Sequence, residues 1–538
     1  MKAPHLWPAL AALLIAASVL SGGYLQARRL ESRYVHALAP QQFSEKLQGS
    51  ALQREAFAQP DLLPIYGSSE LELKNTYHAN TLFKNYPTDF TVFPVGQLGT
   101  SALVILQKLA AIGPDLAGKK IVISFTPPPF FRGMIAQDTY AGNFSPLHAS
   151  ALAFSSDLSD DLKQKVALRM LEYGPTLEHL PLTRFALEQL AAESVWSKFL
   201  YYAVFPLGKL QNAVLSLQDH WITLLYISHS GDLNPDIEHR PAELDWPSLA
   251  RTAETEYRGL ATNNPFGITP HVWKQDGKRL SRQVNAYPGG TMPLVKAIRQ
   301  MGQTMANARE WNDLDLLLEA LHEFGAKPLV LSTPMKGCFY AFWGVPYKDR
   351  QSFYSQIGMR TKTAGFPSLN FASHDGDTFF ALDPACHLST KGWVYYCRAL
   401  DAFYHAREVG DTGSLIADLP RGPGPAPDGS GRPIPEYEGI HDLNGPVTIN
   451  GWAWDTTQPD KPVKLDILDG TKLVKTITAD KFSEGLLKAG KGNGAHGFAL
   501  PVPPELRDGQ PHTIRVRIAG TSLDLKNTPK ALKTKSEK

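Results

Sequence analysis

The sequence predicts an α/β protein: a doubly wound, largely parallel sheet with a helical insertion, behind a transmembrane helix and ahead of a small β-sandwich. Three observations predict it. Residues 6–25 carry no charge. Between residues 62 and 373, short apolar runs alternate with patterns of helical period. After a stretch rich in Pro and Gly, the chain changes to short alternating strands separated by Gly, Asp and Pro.

The first element is LWPALAALLIAASVLSGGYL, residues 6–25, preceded by Lys2 and followed by Arg28 and Arg29. About 20 apolar residues cross a bilayer as a helix. A cleaved signal has a shorter apolar region, about 7–15 residues, before a small-residue cleavage site. The length favours an uncleaved anchor over residues 1–29, with a cleaved signal as the alternative. No later run reaches spanning length, so the expected location is a single-pass membrane protein with its bulk on the periplasmic or extracellular face.

Strand patterns follow at 62–66, at 90–95 (FTVFPV), at 120–126 (KIVISFT) and at 327–333 (KPLVLST), with a weaker fifth at 367–373 (PSLNFAS). Helical patterns lie between them, as at 98–112 and 310–327. In the latter Leu314, Leu317, Leu318 and Leu321 share a face and Gly325 is the stop. Strands alternating with helices give a parallel sheet, whose ligands bind at the carboxyl ends of the strands. Residues 135–310 form a mainly helical insertion within a domain spanning 30–408. Inside it FLYYAVFPLG, residues 199–208, is too short to cross a bilayer. It is either a buried helix or a surface that meets the membrane or a membrane partner.

Residues 409–438 read as a linker, 439–528 as a β-sandwich and 529–538 as a disordered basic tail. The net charge is +2, from 54 basic and 52 acidic residues, which gives no field for nucleic acid. Three cysteines without a CxxC pair exclude a disulfide framework and a zinc site. They leave buried thiols or a single disulfide. No metal or cofactor motif is present, and no cofactor is expected.

Two stretches carry chemistry. Gly67-Ser68-Ser69-Glu70 ends the first core strand. A serine on such a turn exposes its hydroxyl at the sheet edge, although Gly-Ser turns are common as plain structure. FFALDPACHLSTKGW, residues 379–393, sets Asp383 four residues before His387 and just ahead of a helix. A carboxylate near a histidine fixes the imidazole tautomer and stabilises its cation. Serine after the first strand and acid–histidine after the last meet at one sheet edge. A Cys386–His387 nucleophile is disfavoured, because adjacent side chains diverge.

With those residues in that order the chain resembles the SGNH (GDSL-type) hydrolase superfamily, which has a flavodoxin-like sheet, and within it the DltD family. The matching stretches are GSSEL (67–71), FTPPPFF (125–131), TNNPFGI (262–268), AGF (364–366) and HLSTKGW (387–393), and the likeness extends to about residue 408. The resemblance implies Ser69 as nucleophile, His387 as base and Asp383 as the acid behind it. It also implies an oxyanion site from the backbone N–H groups of Ser69 and Gly99, and a cleft shaped by Asn263 or Asn264. Two departures stand out. The family's Asp-x-x-His is here Asp-x-x-x-His, so a bulge restores the geometry, or Asp377 serves, or His387 has another orienter. The family's Ser-Pro-Gln-Trp-Phe is here Thr-Pro-Pro-Pro-Phe-Phe.

The activity so implied is that of a membrane-anchored extracytoplasmic acyltransferase. It passes a D-alanyl or similar small acyl group to a hydroxyl of a cell-envelope polymer, teichoic-acid-like or polysaccharide. Its implied partners are a DltB-like membrane O-acyltransferase and a carrier-protein acyl supply. The alternatives are an O-acetyltransferase or esterase on an exopolysaccharide, and a non-catalytic accessory protein that binds polymer or partner. In the C-terminal module, Trp452 and Trp454 of GWAWD either stack on sugar rings or belong to the core.

Overall fold

The computed structural model describes residues 6–72, 75–86, 88–131, 134–235, 243–261, 266–269, 305, 307–342, 345–406, 415–426, 437–443, 447–456, 458–521 and 523–533. Asn263 and Asn264 lie outside them. The chain enters through α1 (Leu6–Leu38), a helix long and apolar enough to cross a membrane. It continues thirteen residues past the charge-free run, and this extension buries Ala27, Val35 and Leu38 against the body.

Five parallel strands follow: β1 (Leu62–Gly67), β2 (Thr91–Gly96), β3 (Lys120–Phe125), β4 (Lys327–Ser332) and β5 (Ser368–Asn370). Their order is β2-β1-β3-β4-β5. That is the doubly wound order of flavodoxin-like sheets, whose switch point lies between β1 and β3. All of β1 is buried, because both sheet faces are covered. Leu62 and Tyr66 join one core with residues of α3 (Ala102–Ile112), α6 (Arg309–Glu323) and α7 (Tyr347–Thr363). Leu63 and Ile65 join the other, with α2 (Ala79–Asn85), α5 (Trp246–Leu260) and α8 (Thr390–His405). Sequence signals set the ends of these helices. Ser101 caps α3 by accepting the Val104 N–H, and Gly325, at φ +66, follows α6.

Between β3 and α6 the insertion holds helices at Gln137–Asn143, Pro146–Ala153, Asp160–Leu171 and Pro181–Ala191, then α4 (Val195–His229) and α5. The FLYYAVFPLG run lies inside α4, and it is not a helix buried all round. Tyr201 and Gly208 pack inward, while Phe199, Tyr202 and Leu207 are exposed.

The C-terminal region adds β6 (Tyr437–Leu443), β7 (Thr448–Asp455), β8 (Val463–Asp469), β9 (Lys472–Ala479), β10 (Lys481–Phe482), β11 (Ala495–Pro501), β12 (Pro511–Ile518) and β13 (Lys530–Lys533), in two antiparallel sheets of order β10-β11-β7-β6 and β13-β12-β8-β9. Inward side chains from both, among them Ile449, Leu465, Phe498 and Val516, share one core. Two stretches differ from expectation. Lys530–Lys533, within the segment read as a disordered tail, form strand β13 on Pro511–Ile518, and Leu532 is buried. One apolar side chain in register outweighs the lysines around it. Within the segment read as linker, residues 415–426 pack on the α/β unit through Leu415 and Leu419. All three cysteines are free thiols, which removes the disulfide alternative.

Candidate active site

Strand β1 has to end in glycine. A Cβ on Gly67 would meet Glu70 Oε1 at 2.3 Å, and one on Gly96, its partner in register, would meet Gly67 O at 2.5 Å. The chain then makes a single 3₁₀ turn, Ser69–Leu71, so Ser69 is presented at the carboxyl edge of the sheet. Glu70 folds back and accepts the Ser68 N–H at 3.0 Å, while Ser68 Oγ donates to Gln97 O at 3.3 Å. Ser68 therefore shapes the turn. Ser69 Oγ donates to His387 Nε2 at 2.8 Å.

Behind His387 stands Asp383. Its Oδ2 accepts from His387 Nδ1 at 2.7 Å, and its Oδ1 accepts the His387 backbone N–H at 3.2 Å. With Nδ1–H committed to the carboxylate, Nε2 is left to accept the serine proton. The extra residue between acid and histidine is absorbed by Cys386, which takes φ 68, a left-handed conformation rare outside glycine. Leu382 N–H closes the loop on His387 O at 2.7 Å. The bulge is thus the geometry adopted, and Asp377 is employed elsewhere. It binds His374 at 3.1 Å and Lys391 at 2.7 Å, and that environment holds its carboxyl well below the usual range despite burial.

Three donors that sequence reasoning missed pin this loop. Lys336 Nζ donates to the carbonyls of Thr378 and Ala381, Tyr257 Oη to Gly267 O at 2.8 Å and Leu382 O at 3.2 Å, and Tyr340 Oη to Pro384 O at 2.6 Å. The only signal for Lys336 was its place just after β4, at the carboxyl edge. Burial pulls its pKa down, and the carbonyl cage explains why an ammonium is kept there at all. Phe130, from the stretch that departs from the family pattern, is buried against Trp311 and Phe353.

The electrostatics suit a base. Burial opposes the imidazolium of His387, but the hydrogen bond and charge of Asp383, with Glu70 and Glu72 beyond, outweigh it and raise the pKa above the ordinary 6.5. Burial raises the pKa of Glu70, against the hydrogen bonds it accepts.

Gly99 lies on the loop that receives the Ser68 hydroxyl. Its φ is +80, and a Cβ there would meet Thr139 Cγ2 at 2.3 Å. The loop is braced by Asn143, whose Nδ2 donates to Leu98 O at 3.0 Å and whose Oδ1 accepts from Thr100 Oγ1 at 2.7 Å. Glu72 accepts the Leu98 N–H at 2.8 Å. Asn143 was invisible in sequence because it comes from the insertion. Among the described residues no cluster could hold a metal ion.

Trp452 and Trp454 lie apart from these residues, on β7 (Thr448–Asp455) of the sandwich. Ala453 between them faces the core, so both indoles sit on the outer side, half-buried. Lys491 Nζ lies 5.6 Å from the Trp452 ring centroid and 4.9 Å from that of Trp454. The core alternative for the two tryptophans is therefore set aside.

A family model described as DltD protein matches residues 39–405, a span holding the serine turn, the acid–histidine loop and all five parallel strands. The chain belongs to the DltD family. Members of that family take part in D-alanylation of the cell envelope. Protein DltD of Bacillus subtilis (strain 168) is 29% identical over 400 residues, which cover 74% of this chain and 95% of that protein. Protein DltD of Lacticaseibacillus rhamnosus is 23% identical over 393 residues, covering 72% of this chain and 89% of its own length. Protein DltD of Staphylococcus aureus (strain NCTC 8325 / PS 47) is 24% identical over 355 residues, covering 65% and 82%. The antiparallel sheets beyond residue 437 lie outside the matched DltD span.

Proposed function

We propose that this DltD-family protein is a serine acyltransferase. It moves a D-alanyl or similar small acyl group to a hydroxyl of a cell-envelope polymer on the extracytoplasmic side of the membrane. The observation that carries the reading is the continuous chain Ser69 Oγ–His387–Asp383, with links of 2.8 and 2.7 Å, at the sheet edge.

In the first half-reaction His387 Nε2 takes the Ser69 proton as Oγ bonds to the acyl carbon of the donor. The donor's bond to that carbon breaks, and the proton passes from His387 to the leaving group. In the second, His387 takes the proton of the acceptor hydroxyl. The new ester bond forms, the Ser69 ester bond breaks, and the proton returns to Oγ. The backbone N–H groups of Ser69 and Gly99 hold the oxyanion in each step. Asp383 keeps the imidazole in one tautomer and stabilises its cation.

Helix α1 anchors the protein by a single span. By family, the acyl group is supplied by a membrane O-acyltransferase fed by a carrier protein. Trp452 and Trp454 offer flat apolar faces to sugar rings of the acceptor.

The test is covalent. Purified full-length protein in detergent is incubated with D-alanyl and acetyl thioester donors and read by intact mass. A D-alanyl adduct absent from Ser69→Ala is the expected result. An acetyl adduct alone replaces the reading with an O-acetyltransferase. No adduct with either donor, together with unchanged envelope D-alanine in cells carrying Ser69→Ala, removes the acyl-enzyme altogether.

A further inference from the structure

Helix α4 is 35 residues long and bears an apolar stripe that no described residue covers. Trp196 is 75% exposed, Phe199 62%, Leu207 56%, Leu210 62% and Val214 57%. The spacing, with exposed Ala203 between Phe199 and Leu207, follows the helical period, so these side chains form one continuous face. The opposite face is built into the body. Tyr201 Oη donates to Ala153 O at 3.0 Å, and Gly208 abuts the Phe154 ring. A single exposed leucine needs no explanation, but a stripe of this length marks a contact surface.

The packing of α4 on α1 says what that contact is. Gly23 lies against Trp221, where a Cβ would meet the indole at 1.9 Å, and the Tyr24 ring meets His220 at 4.9 Å. Phe43, just beyond the end of α1, stacks on Tyr226 at 4.0 Å. Glu31, two turns along α1 from Tyr24, also meets His220, at 2.8 Å, so the contacts of α1 gather on His220 and Trp221 of α4. Helix α4 therefore touches the anchor helix around these two positions.

A polar cleft fixes the level. Tyr24, Arg28 and Glu31 of α1 line it together with Ser216 and His220 of α4. Arg28 is the first charge after the apolar run, so this cleft marks where the span leaves the hydrocarbon. Helix α4 therefore meets the anchor at the level of the bilayer surface, and its apolar stripe ends at Val214, two residues from Ser216. Lys198 and Lys209 in its N-terminal half are exposed, and a charged helix does not cross the hydrocarbon freely. A helix with one apolar face, aromatic residues and flanking lysines lies along the interface instead. The lysines then reach headgroup phosphates while Trp196 and Phe199 enter the acyl boundary.

We infer that the exposed face of α4 between Trp196 and Val214 is a second membrane contact, seated in the outer leaflet beside α1. The inference rests on α1 being the membrane anchor. With two attachments the protein cannot swivel about its span, and the sheet edge bearing Ser69 is held in one orientation to the bilayer.

The test uses the full chain in phosphatidylcholine–phosphatidylglycerol vesicles. An environment-sensitive fluorophore is placed on a cysteine at one of three exposed positions: Leu14 of α1, Phe199 of α4 or Leu473 of the sandwich. The protein without an introduced cysteine serves as the labelling blank. Spin-labelled lipids then quench whatever lies at acyl depth. Loss of emission at positions 14 and 199, with none at 473, is the expected result. Quenching at 14 without quenching at 199 overturns the second contact and leaves the anchor standing. No quenching at 14 overturns the anchor and the inference with it. Blue-shifted but unquenched emission at 199 also overturns it, because that surface is then covered by protein rather than lipid.

Discussion

Asp383 reaches the ring of His387 from four residues upstream, at 2.7 Å, because Cys386 between them takes φ 68. A non-glycine residue in that conformation costs about 1–2 kcal/mol, so the loop is strained at the residue that sets the acid–base geometry. Asp383→Asn leaves the backbone in place but favours the wrong imidazole tautomer. Acyl transfer should fall by about 10³–10⁴-fold with little change in thermal midpoint. Asp377→Asn should do the reverse, losing stability through Lys391 and His374. Steady-state rates beside melting curves separate the two, and a catalytic loss confined to Asp377→Asn sinks the assignment of Asp383.

His387 must be neutral to accept a proton, and its folded pKa is raised, so transfer should increase with pH through a midpoint above the ordinary 6.5. The same shift acts on stability. It is contributed fully below the unfolded pKa and lost as pH rises through the folded value. Glu70 is one of the charges raising that pKa, and Glu70→Gln removes it. The acid limb of kcat/KM should then move to lower pH. A limb that stays in place means that Glu70 carries no charge there.

How much of this was legible follows from what each signal depends on. The buried strands were readable because apolar runs with turn residues at both ends need no knowledge of partners. Ser69 and His387 were readable because each follows a strand and therefore falls at the same edge. Asp383 was named, but its spacing looked wrong, since a left-handed Cys386 leaves no mark in composition. Tyr257 and Asn143 were not readable at all, and Lys336 only through its place just after β4. Each acts on a loop far away in sequence, and only the fold brings donor and carbonyl together. The exposed face of α4 was half-readable: its apolar character was plain, but whether it turns inward depends on what packs against it.

Gly99 offers a direct probe of the proposed oxyanion site. Its φ of +80 and the 2.3 Å approach of a Cβ to Thr139 Cγ2 mean that Gly99→Ala must displace the loop. Losing one oxyanion donor costs about 10²–10³-fold in kcat. The expected result is a loss of that size in kcat with KM nearly unchanged. A change confined to KM places Gly99 in binding instead.

Residues 424–426, in the segment expected to be a linker, are held by a buried ion pair. Arg350 and Asp375 are both 0% exposed and pair through two hydrogen bonds of 2.9 Å. The same carboxylate accepts the Ala426 N–H at 3.0 Å, and Arg350 Nη2 donates to Ala426 O at 3.1 Å. Gly376 N–H adds a bond to Gly424 O at 2.8 Å. The ion pair thus clasps residues 424–426 onto the turn that follows β5. Asp375→Ala takes away the carboxylate that Arg350 meets through two hydrogen bonds, and breaking a buried pair costs about 3–5 kcal/mol. It also frees the clasped segment, so proteolysis near residue 425 should quicken well below the melting temperature. The double variant Arg350→Met, Asp375→Leu removes both charges and should recover much of the stability without restoring the clasp. Recovery of protease resistance along with stability would show that the backbone contacts at Gly424 hold the segment by themselves.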